Sequence, residues 1–224
     1  MKNILLCIII ITLCIDTCSL SIAKENNKSD EYKDTGVIAN ERYDLPIWSV
    51  EALNYLVNEE LIYIGTDPKF DANKGSSRGD FVLLLMRCLN KANNNIDASE
   101  RFDDVDYNSY YSMAIYNAKI EGLVYGDSEN KFYPDRNGTR QEFVTILYRV
   151  IEKYSLKPLP TINEYPFKDT NYAEYAKEAI SILHELNIVN GYRDGYFYPT
   201  NEMTRAEMIK VIYEVMKYLN MVDN

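Results

Sequence analysis

Apolar residues recur at helical spacing in six stretches of the chain, arranged as three pairs. The third pair shows the pattern most fully, at Tyr175, Ala176, Ala179, Ile180, Leu183 and Leu186 and then at Met208, Val211, Ile212 and Val215. Spacings of three and four residues are typical of the buried face of a helix. Similar patterns follow Trp48 and Tyr110, and others begin at Phe81 and Phe143. The periodicity therefore predicts an all-α fold with at most very short strands.

The same landmark residues recur three times at fixed spacing. An aromatic residue is followed after 22 positions by Phe and after 8 more by Arg. The three sets are Trp48–Phe70–Arg78, Tyr110–Phe132–Arg140 and Tyr175–Phe197–Arg205. Such spacing indicates one supersecondary unit used three times. We predict helix–turn–helix units at 41–95 (unit 1), 96–158 (unit 2) and 159–224 (unit 3), with the first helix of each unit packed at the centre through Ala52, Ala114 and Ala179.

Each second helix is predicted to begin just before the recurring arginine. The segments read Ser77-Arg78-Gly79-Asp80, Thr139-Arg140-Gln141-Glu142 and Thr204-Arg205-Ala206-Glu207. A hydroxyl followed three residues later by an acid is the signature of a capping box. Each arginine then lies at the first position of a helix, where free amides and the helix dipole favour an anion. A guanidinium group there is well suited to a carboxylate.

The N-terminal segment predicts secretion. Lys2, the apolar run 4–13 and the small residues around Ala23 are typical of a signal peptide spanning 1–23, and the polar stretch 24–40 is typical of a flexible linker. The apolar run is too short to cross a bilayer, so no membrane insertion is expected after cleavage. Outside this leader the sequence holds one cysteine, Cys88, which we expect in the core.

Composition and motifs argue against several functions. A formal net charge of −10 disfavours nucleic acid as a partner. His184-Glu185 begins like a zinc-protease motif but has no second histidine, and the acidic segment from Asp127 lacks the Gly and Glu of a calcium loop. No nucleophile–base pair or phosphate loop is visible. We therefore predict no enzyme activity, metal site or cofactor.

The three units resemble the S-layer homology domain family. Unit 3 carries the fullest match, in Phe167-Lys168-Asp169, Tyr175-Ala176, the stretch Asn190-Gly191-Tyr192-Arg193-Asp194-Gly195-Tyr196-Phe197-Tyr198-Pro199, and Met203-Thr204-Arg205-Ala206-Glu207. Unit 2 follows with Phe102-Asp103-Asp104-Val105, Gly122, Gly126, Phe132-Tyr133-Pro134 and its capping segment. Unit 1 is divergent: Ile64 stands in place of a glycine, Ala72 replaces the proline, and the segment before Trp48 is two residues shorter. An altered or inactive groove is expected there.

The resemblance implies a pseudo-threefold bundle with grooves between neighbouring units. Such grooves bind secondary cell-wall polysaccharide, often with a pyruvyl ketal on an amino sugar, and hold exported proteins non-covalently on the Gram-positive wall. The implied location is secreted, at the cell wall or surface layer, and the implied partners are this polysaccharide and other surface proteins. The alternative is a structural or assembly protein whose repeats bind protein partners or one another.

The predicted polysaccharide site combines four kinds of residue. Its members are Arg78, Arg140, Arg205, Trp48, Tyr110, Tyr175, Asp44, Asp104, Asp169, Gly126 and Gly191. Arginine suits a carboxylate, an aromatic ring covers a sugar face, aspartate accepts from sugar hydroxyls, and glycine permits unusual backbone angles. Structural roles remain open: the arginines could bridge to an acid of the next unit, the aromatics could pack in the core, and the aspartates could cap the first helices.

Overall fold

The computed structural model describes residues 45–62, 70–92, 101–162 and 164–222. The predicted signal peptide and linker, and the site residue Asp44, lie outside these ranges. Within them the helices are α1 (Ile47–Asn58), α2 (Arg78–Cys88), α3 (Ser112–Ile120), α4 (Arg140–Tyr154), α5 (Glu174–Glu185) and α6 (Arg205–Tyr218). β-Structure in the described ranges consists of isolated bridges, which confirms the predicted all-α fold. None of the described helices is both long and apolar enough to cross a membrane.

The predicted starts of the second helices are confirmed. Glu142 and Glu207 close capping boxes, because their carboxylates accept from the amides of Thr139 and Thr204 at 2.8 and 2.9 Å. In α2 the Ser77 hydroxyl accepts from the third helical amide at 3.0 Å. These contacts join residues three positions apart, so the local sequence specifies them.

Each first helix packs against the second helix of the preceding unit. The pairs are α3 with α2, α5 with α4, and α1 with α6, and the last pair joins the two ends of the described chain. In that pair the Tyr213 hydroxyl donates to the Glu51 carboxylate at 2.9 Å. The prediction that the first helices pack together at the centre is therefore wrong. A buried alanine permits close approach of another helix but does not select which helix approaches.

The second helices meet at the centre instead. Helix α6 contacts both α2 and α4. The rings of Phe81 and Phe143, at the same position in α2 and α4, stack with their centroids 3.9 Å apart and their planes inclined by 6°. Both rings are fully buried. Cys88, at the end of α2, is buried as predicted, and burial raises the pKa of its thiol to about 12.

A closed ring of backbone hydrogen bonds surrounds this centre. Ser76 donates to Met203 at 2.9 Å, Met203 donates to Gly138 at 3.1 Å, and Gly138 donates to Ser76 at 3.0 Å. Each residue lies two positions before the recurring arginine of its unit. Buried backbone amides need partners, and here each unit supplies the partner of another. The ring therefore requires all three units.

An ion-pair cluster joins the outer ends of units 1 and 2. The Glu121 carboxylate lies 2.6 Å from the ammonium group of Lys91 and 2.5 Å from that of Lys153, and it accepts from the Tyr154 hydroxyl at 2.7 Å. Lys153, Lys91 and Tyr154 together lower the pKa of Glu121 to about 2. The ionised carboxylate thus stabilises the contact between α3 and the ends of α2 and α4.

Glu121→Gln is expected to lower the free energy of unfolding in a pH-dependent way. The folded-state pKa lies below the ordinary value of 4.5, so the carboxylate stabilises the fold fully above about pH 4.5. That contribution is lost as the pH falls towards 2. Urea unfolding of both proteins between pH 7 and pH 2 measures the difference, which should shrink on acidification. Glu185→Gln, at an exposed position, is the control; a pH-independent effect of Glu121→Gln contradicts the prediction.

Gly138→Ala is expected to destabilise the centre of the fold. A Cβ atom at Gly138 would lie 2.2 Å from atoms of the buried Phe143 ring. Overpacking of this kind costs about 2–3 kcal/mol. Gly75→Ala is the matched control, because its Cβ would meet the movable ends of the Asn137 and Glu202 side chains. In denaturant unfolding, the control should lower the free energy of unfolding by less than about 1 kcal/mol. Equal losses of stability in the two variants would contradict close packing of Gly138 against the Phe143 ring.

Candidate functional site

A surface groove of about 460 Å³ lies where the three units meet, and we call it the unit 2 groove. Unit 1 contributes Arg78 and unit 3 contributes Tyr175, whereas unit 2 supplies the remaining lining. The lining residues that matter most are Arg78, Gly126, Arg136, Glu142, Arg149 and Tyr175. The structure thus brings together three of the residues predicted from sequence, one from each unit.

Arg78 forms part of the groove and is held by unit 2. Its Nε donates to the Phe132 carbonyl at 2.9 Å, and its NH1 lies 3.3 Å from the Glu142 carboxylate. The guanidinium also lies 4.4 Å from the centroid of the Phe132 ring. Its side chain is 10% exposed, and burial lowers its pKa although Glu142 acts in the opposite direction. An arginine remains protonated in such surroundings, so the charge persists.

Arg140 repeats this arrangement between units 2 and 3. Its Nε donates to the Phe197 carbonyl at 2.9 Å, its NH2 to the Asn190 carbonyl at 3.2 Å, and its NH1 lies 2.9 Å from Glu207. Both arginines therefore bridge to the capping acid of the next unit, as one of the open alternatives proposed. Arg205 is half-buried, with its guanidinium 5.9 Å from the centroid of the Phe70 ring.

The first amides of the second helices are not free for an anion, so that expectation is wrong. In α2 the amide of Arg78 donates to the Arg136 carbonyl at 2.9 Å, and that of Gly79 donates to Pro134 at 2.8 Å. The equivalent donors are Arg140 and Gln141 in α4 and Arg205 and Ala206 in α6. The turn of the next unit thus satisfies amides that a helix leaves unpaired. These amides are therefore not available to a ligand.

The recurring aromatic residues lie on the surface. Trp48, Tyr110 and Tyr175 are 49%, 68% and 59% exposed, so the alternative that they pack in the core is wrong. The Tyr110 hydroxyl donates to Asp80 at 2.6 Å, and Tyr175 borders the unit 2 groove at the start of α5. A ring with one open face is suited to cover the apolar face of a sugar.

Asp104 and Asp169 brace the turns before the second helices of units 2 and 3. Asp104 accepts from the amides of Phe132 and Tyr133 at 2.8 and 2.7 Å, and buried Asp169 accepts from the equivalent amides in unit 3. Tyr133 has a φ of 59°, a costly angle for a tyrosine that these bonds help to maintain. The N-cap positions of α3 and α5 are held by Tyr111 and Ala173, so the N-cap alternative is wrong for both aspartates.

Gly126 and Gly191 allow close packing. A Cβ atom at Gly126 would lie 2.8 Å from the Phe102 ring, and one at Gly191 would lie 2.4 Å from the Phe167 ring. The positive φ angles among the glycines described belong to Gly122 and Gly195 instead. Because Gly126 has no side chain, the backbone in the wall of the unit 2 groove can lie against the buried Phe102 ring.

Sequence reasoning missed Lys131 and two arginines of the groove. Arg136 lies 2.5 Å from Glu142. Arg149 donates to the Leu123 carbonyl at 3.1 Å and lies 4.6 Å from the centroid of the Tyr125 ring. In the part of the chain that the structure describes, Arg149 forms no ion pair. Neither arginine recurs in all three units, so a search for repeated landmarks passes over them.

The groove is cationic although the chain is acidic. Its lining holds four cationic side chains and two acidic ones, against a formal net charge of −10 for the whole chain. Burial alone would raise the pKa of Glu142, but Arg136, the Thr139 amide and Arg78 lower it overall. Glu142 is therefore ionised at neutral pH and offsets the two arginines beside it. Arg149 forms no ion pair in the described structure, and burial lowers its pKa, although the nearby Glu152 carboxylate partly offsets that lowering.

Fold and groove together define a helical repeat protein with a composite surface site. Residues 101–144 and 166–209 match the family model of the S-layer homology domain. These two stretches of the chain therefore belong to the S-layer homology domain family. The two matches cover α3 with the start of α4, and α5 with the start of α6.

Similar proteins point to the cell surface or cell wall. The chain is 28% identical over 76% of its length to an amylopullulanase of Thermoanaerobacterium thermosulfurigenes, and the matched region covers 9% of that protein. It is 28% identical over 65% of its length to a cellulosome-anchoring protein of Acetivibrio thermocellus, covering 32% of that protein. It is 26% identical over 76% of its length to an S-layer protein of Bacillus thuringiensis subsp. finitimus, covering 20%. The chain thus spans about a third or less of each of these relatives.

Arg140→Ala is expected to lower the free energy of unfolding by about 3 kcal/mol, because it leaves the largely buried Glu207 carboxylate without its partner. Denaturant unfolding followed by the helical signal measures the change. Arg193→Ala, at an exposed position, is the matched control and should change stability by less than about 0.5 kcal/mol. An equally small effect of Arg140→Ala contradicts a structural role for this arginine.

Proposed function

We propose that this chain is a non-catalytic anchoring module that binds secondary cell-wall polysaccharide non-covalently through grooves between its units. The observation that carries the proposal is the unit 2 groove, which is cationic in an acidic protein and bordered by the exposed ring of Tyr175. A polysaccharide with carboxylate groups, such as pyruvyl ketals, presents the matching chemistry of negative charge and apolar ring faces.

The proposal includes unit 1 as a third, divergent S-layer homology repeat. Its turn performs the same task as the other two, since the carbonyls of Lys74 and Ala72 accept from the first amides of α6 at 2.9 and 3.0 Å. Ala72 thereby takes the place of Pro134 and Pro199 without loss of the contact. The main-chain carbonyl forms the contact, so the proline side chain is not required for it.

Several grooves on one rigid unit would favour attachment to a polymer. When one polysaccharide chain occupies a first groove, its binding to a second is effectively intramolecular. Avidity can then exceed single-site affinity by about 10²–10⁴-fold. Weak individual sites would suffice for stable anchoring at the cell wall.

Sedimentation with purified cell wall tests the proposal. The protein should sediment with native wall and remain in solution after the wall polysaccharide is removed. Wall from which only the pyruvyl groups are removed should retain less protein, because the cationic groove then loses its anionic partner. Unchanged retention after complete removal of the polysaccharide would overturn the proposal and favour binding to proteins or to other copies of the repeats.

Tyr175→Ala should weaken binding to native wall by about 3- to 10-fold, the effect of losing one ring contact. Tyr107→Ala is the matched control, because Tyr107 is 55% exposed and does not line the groove. Binding isotherms with native wall give the two affinities. Equal affinities for both variants and the wild type contradict the assignment of the unit 2 groove as the binding site.

A further inference from the structure

The repeats differ in charge at a position nine residues after the recurring arginine. This position holds Arg87 in unit 1, Arg149 in unit 2 and Glu214 in unit 3. Arg87 donates to the Leu61 carbonyl at 3.4 Å, just as Arg149 donates to Leu123. The side chain at this position therefore makes the same contact in units 1 and 2, whereas unit 3 has the opposite charge there.

Arg149 is suited to bind an anion in the unit 2 groove. It is half-buried, lines the groove, and has its described contacts with a neutral carbonyl and a tyrosine ring. The other two arginines of the groove, Arg78 and Arg136, both contact Glu142. A partly desolvated cation without a carboxylate partner gains most from an incoming anion.

The equivalent position of unit 3 holds an acid that is already paired. Glu214 forms ion pairs with Lys210 and, at 3.8 Å, with Lys217. Tyr192 lies over the guanidinium of Arg140, with its ring centroid 5.0 Å away, and its hydroxyl donates to Glu207 at 2.7 Å. The cations near this position already have carboxylate partners, and Glu214 would repel a further anion.

We infer that Arg149 is the residue that makes the unit 2 groove select a carboxylate-bearing sugar, and that Glu214 makes the equivalent surface of unit 3 disfavour one. The inference rests on the proposed function and deepens it by assigning the charge preference of the ligand to single residues. Arg149 reaches a bound carboxylate through its guanidinium, while Arg78 and Arg136 hold Glu142 and the wall of the groove in place.

Charge selectivity separates this role from a purely structural one. The probes are an amino-sugar saccharide with a pyruvyl ketal, the same saccharide without the ketal, and a uronic-acid oligosaccharide. Wild-type protein should prefer the two acidic probes, with an affinity that falls as salt rises. Comparison of the two acidic probes shows whether the ketal or any sugar carboxylate is recognised. Calorimetric titration measures each affinity.

Arg149→Glu should weaken binding of an acidic probe by about tenfold or more and leave binding of the neutral saccharide nearly unchanged, the loss expected for one charge-assisted contact. Arg149→Lys, which keeps the charge, should retain most of the preference for acidic probes. Lys177→Glu makes the same change in net charge outside the groove lining and is the control. Thermal unfolding of each variant excludes loss of fold as the cause.

The reverse change in unit 3 completes the test. Glu214→Arg should strengthen binding of an acidic probe or add a second binding event, because it places in unit 3 the charge that unit 2 carries. The inference is overturned if the Arg149→Glu variant is folded and binds acidic probes with wild-type affinity. It is also overturned if the variant loses the same amount of affinity for acidic and neutral probes. The proposed function fails separately, if the wild-type protein binds neither cell wall nor any of the saccharides.

Discussion

The fold depends on backbone hydrogen bonds that pass from each unit to another. Ser76, Met203 and Gly138 form a closed ring, and the turn of each next unit accepts the first amides of a second helix. A unit alone would expose these groups to water together with the apolar surface that the other units cover. The three units therefore form one cooperative structure, and helix α1 must pack on α6 to complete it.

The unit 2 groove is a consequence of these hydrogen bonds between units. Because α2 begins against the turn of unit 2, Arg78 enters the wall of a groove that unit 2 lines and Tyr175 of unit 3 borders. Arg78 and Arg140 each pair with the capping acid of the next unit and so belong first to the framework. In the proposed binding mode, residues outside the recurring pattern, above all Arg149, determine the charge that a ligand meets.

Local features could be predicted and distant partners could not. The capping box at Thr204 follows from residues three positions apart, and the apolar spacing of α5 and α6 follows from the helical period. Asp104 was assigned to sugar binding or capping, because its actual partners, the amides of Phe132 and Tyr133, lie 28 and 29 residues away. Buried Ala179 indicated a close helix contact, but many pairings of the six helices satisfy that condition.

The sequence by itself determined the helices, the starting residues of the second helices and the family of residues 101–144 and 166–209, since each depends on spacing within a short stretch of chain. Only the tertiary structure decided which helices pair, that the aromatic residues lie on the surface, and that Arg149 stands in a groove with Arg78 and Tyr175. Those features depend on contacts between units. Such contacts are chosen by the simultaneous burial of apolar surface and pairing of backbone groups across the whole fold, which no single segment encodes.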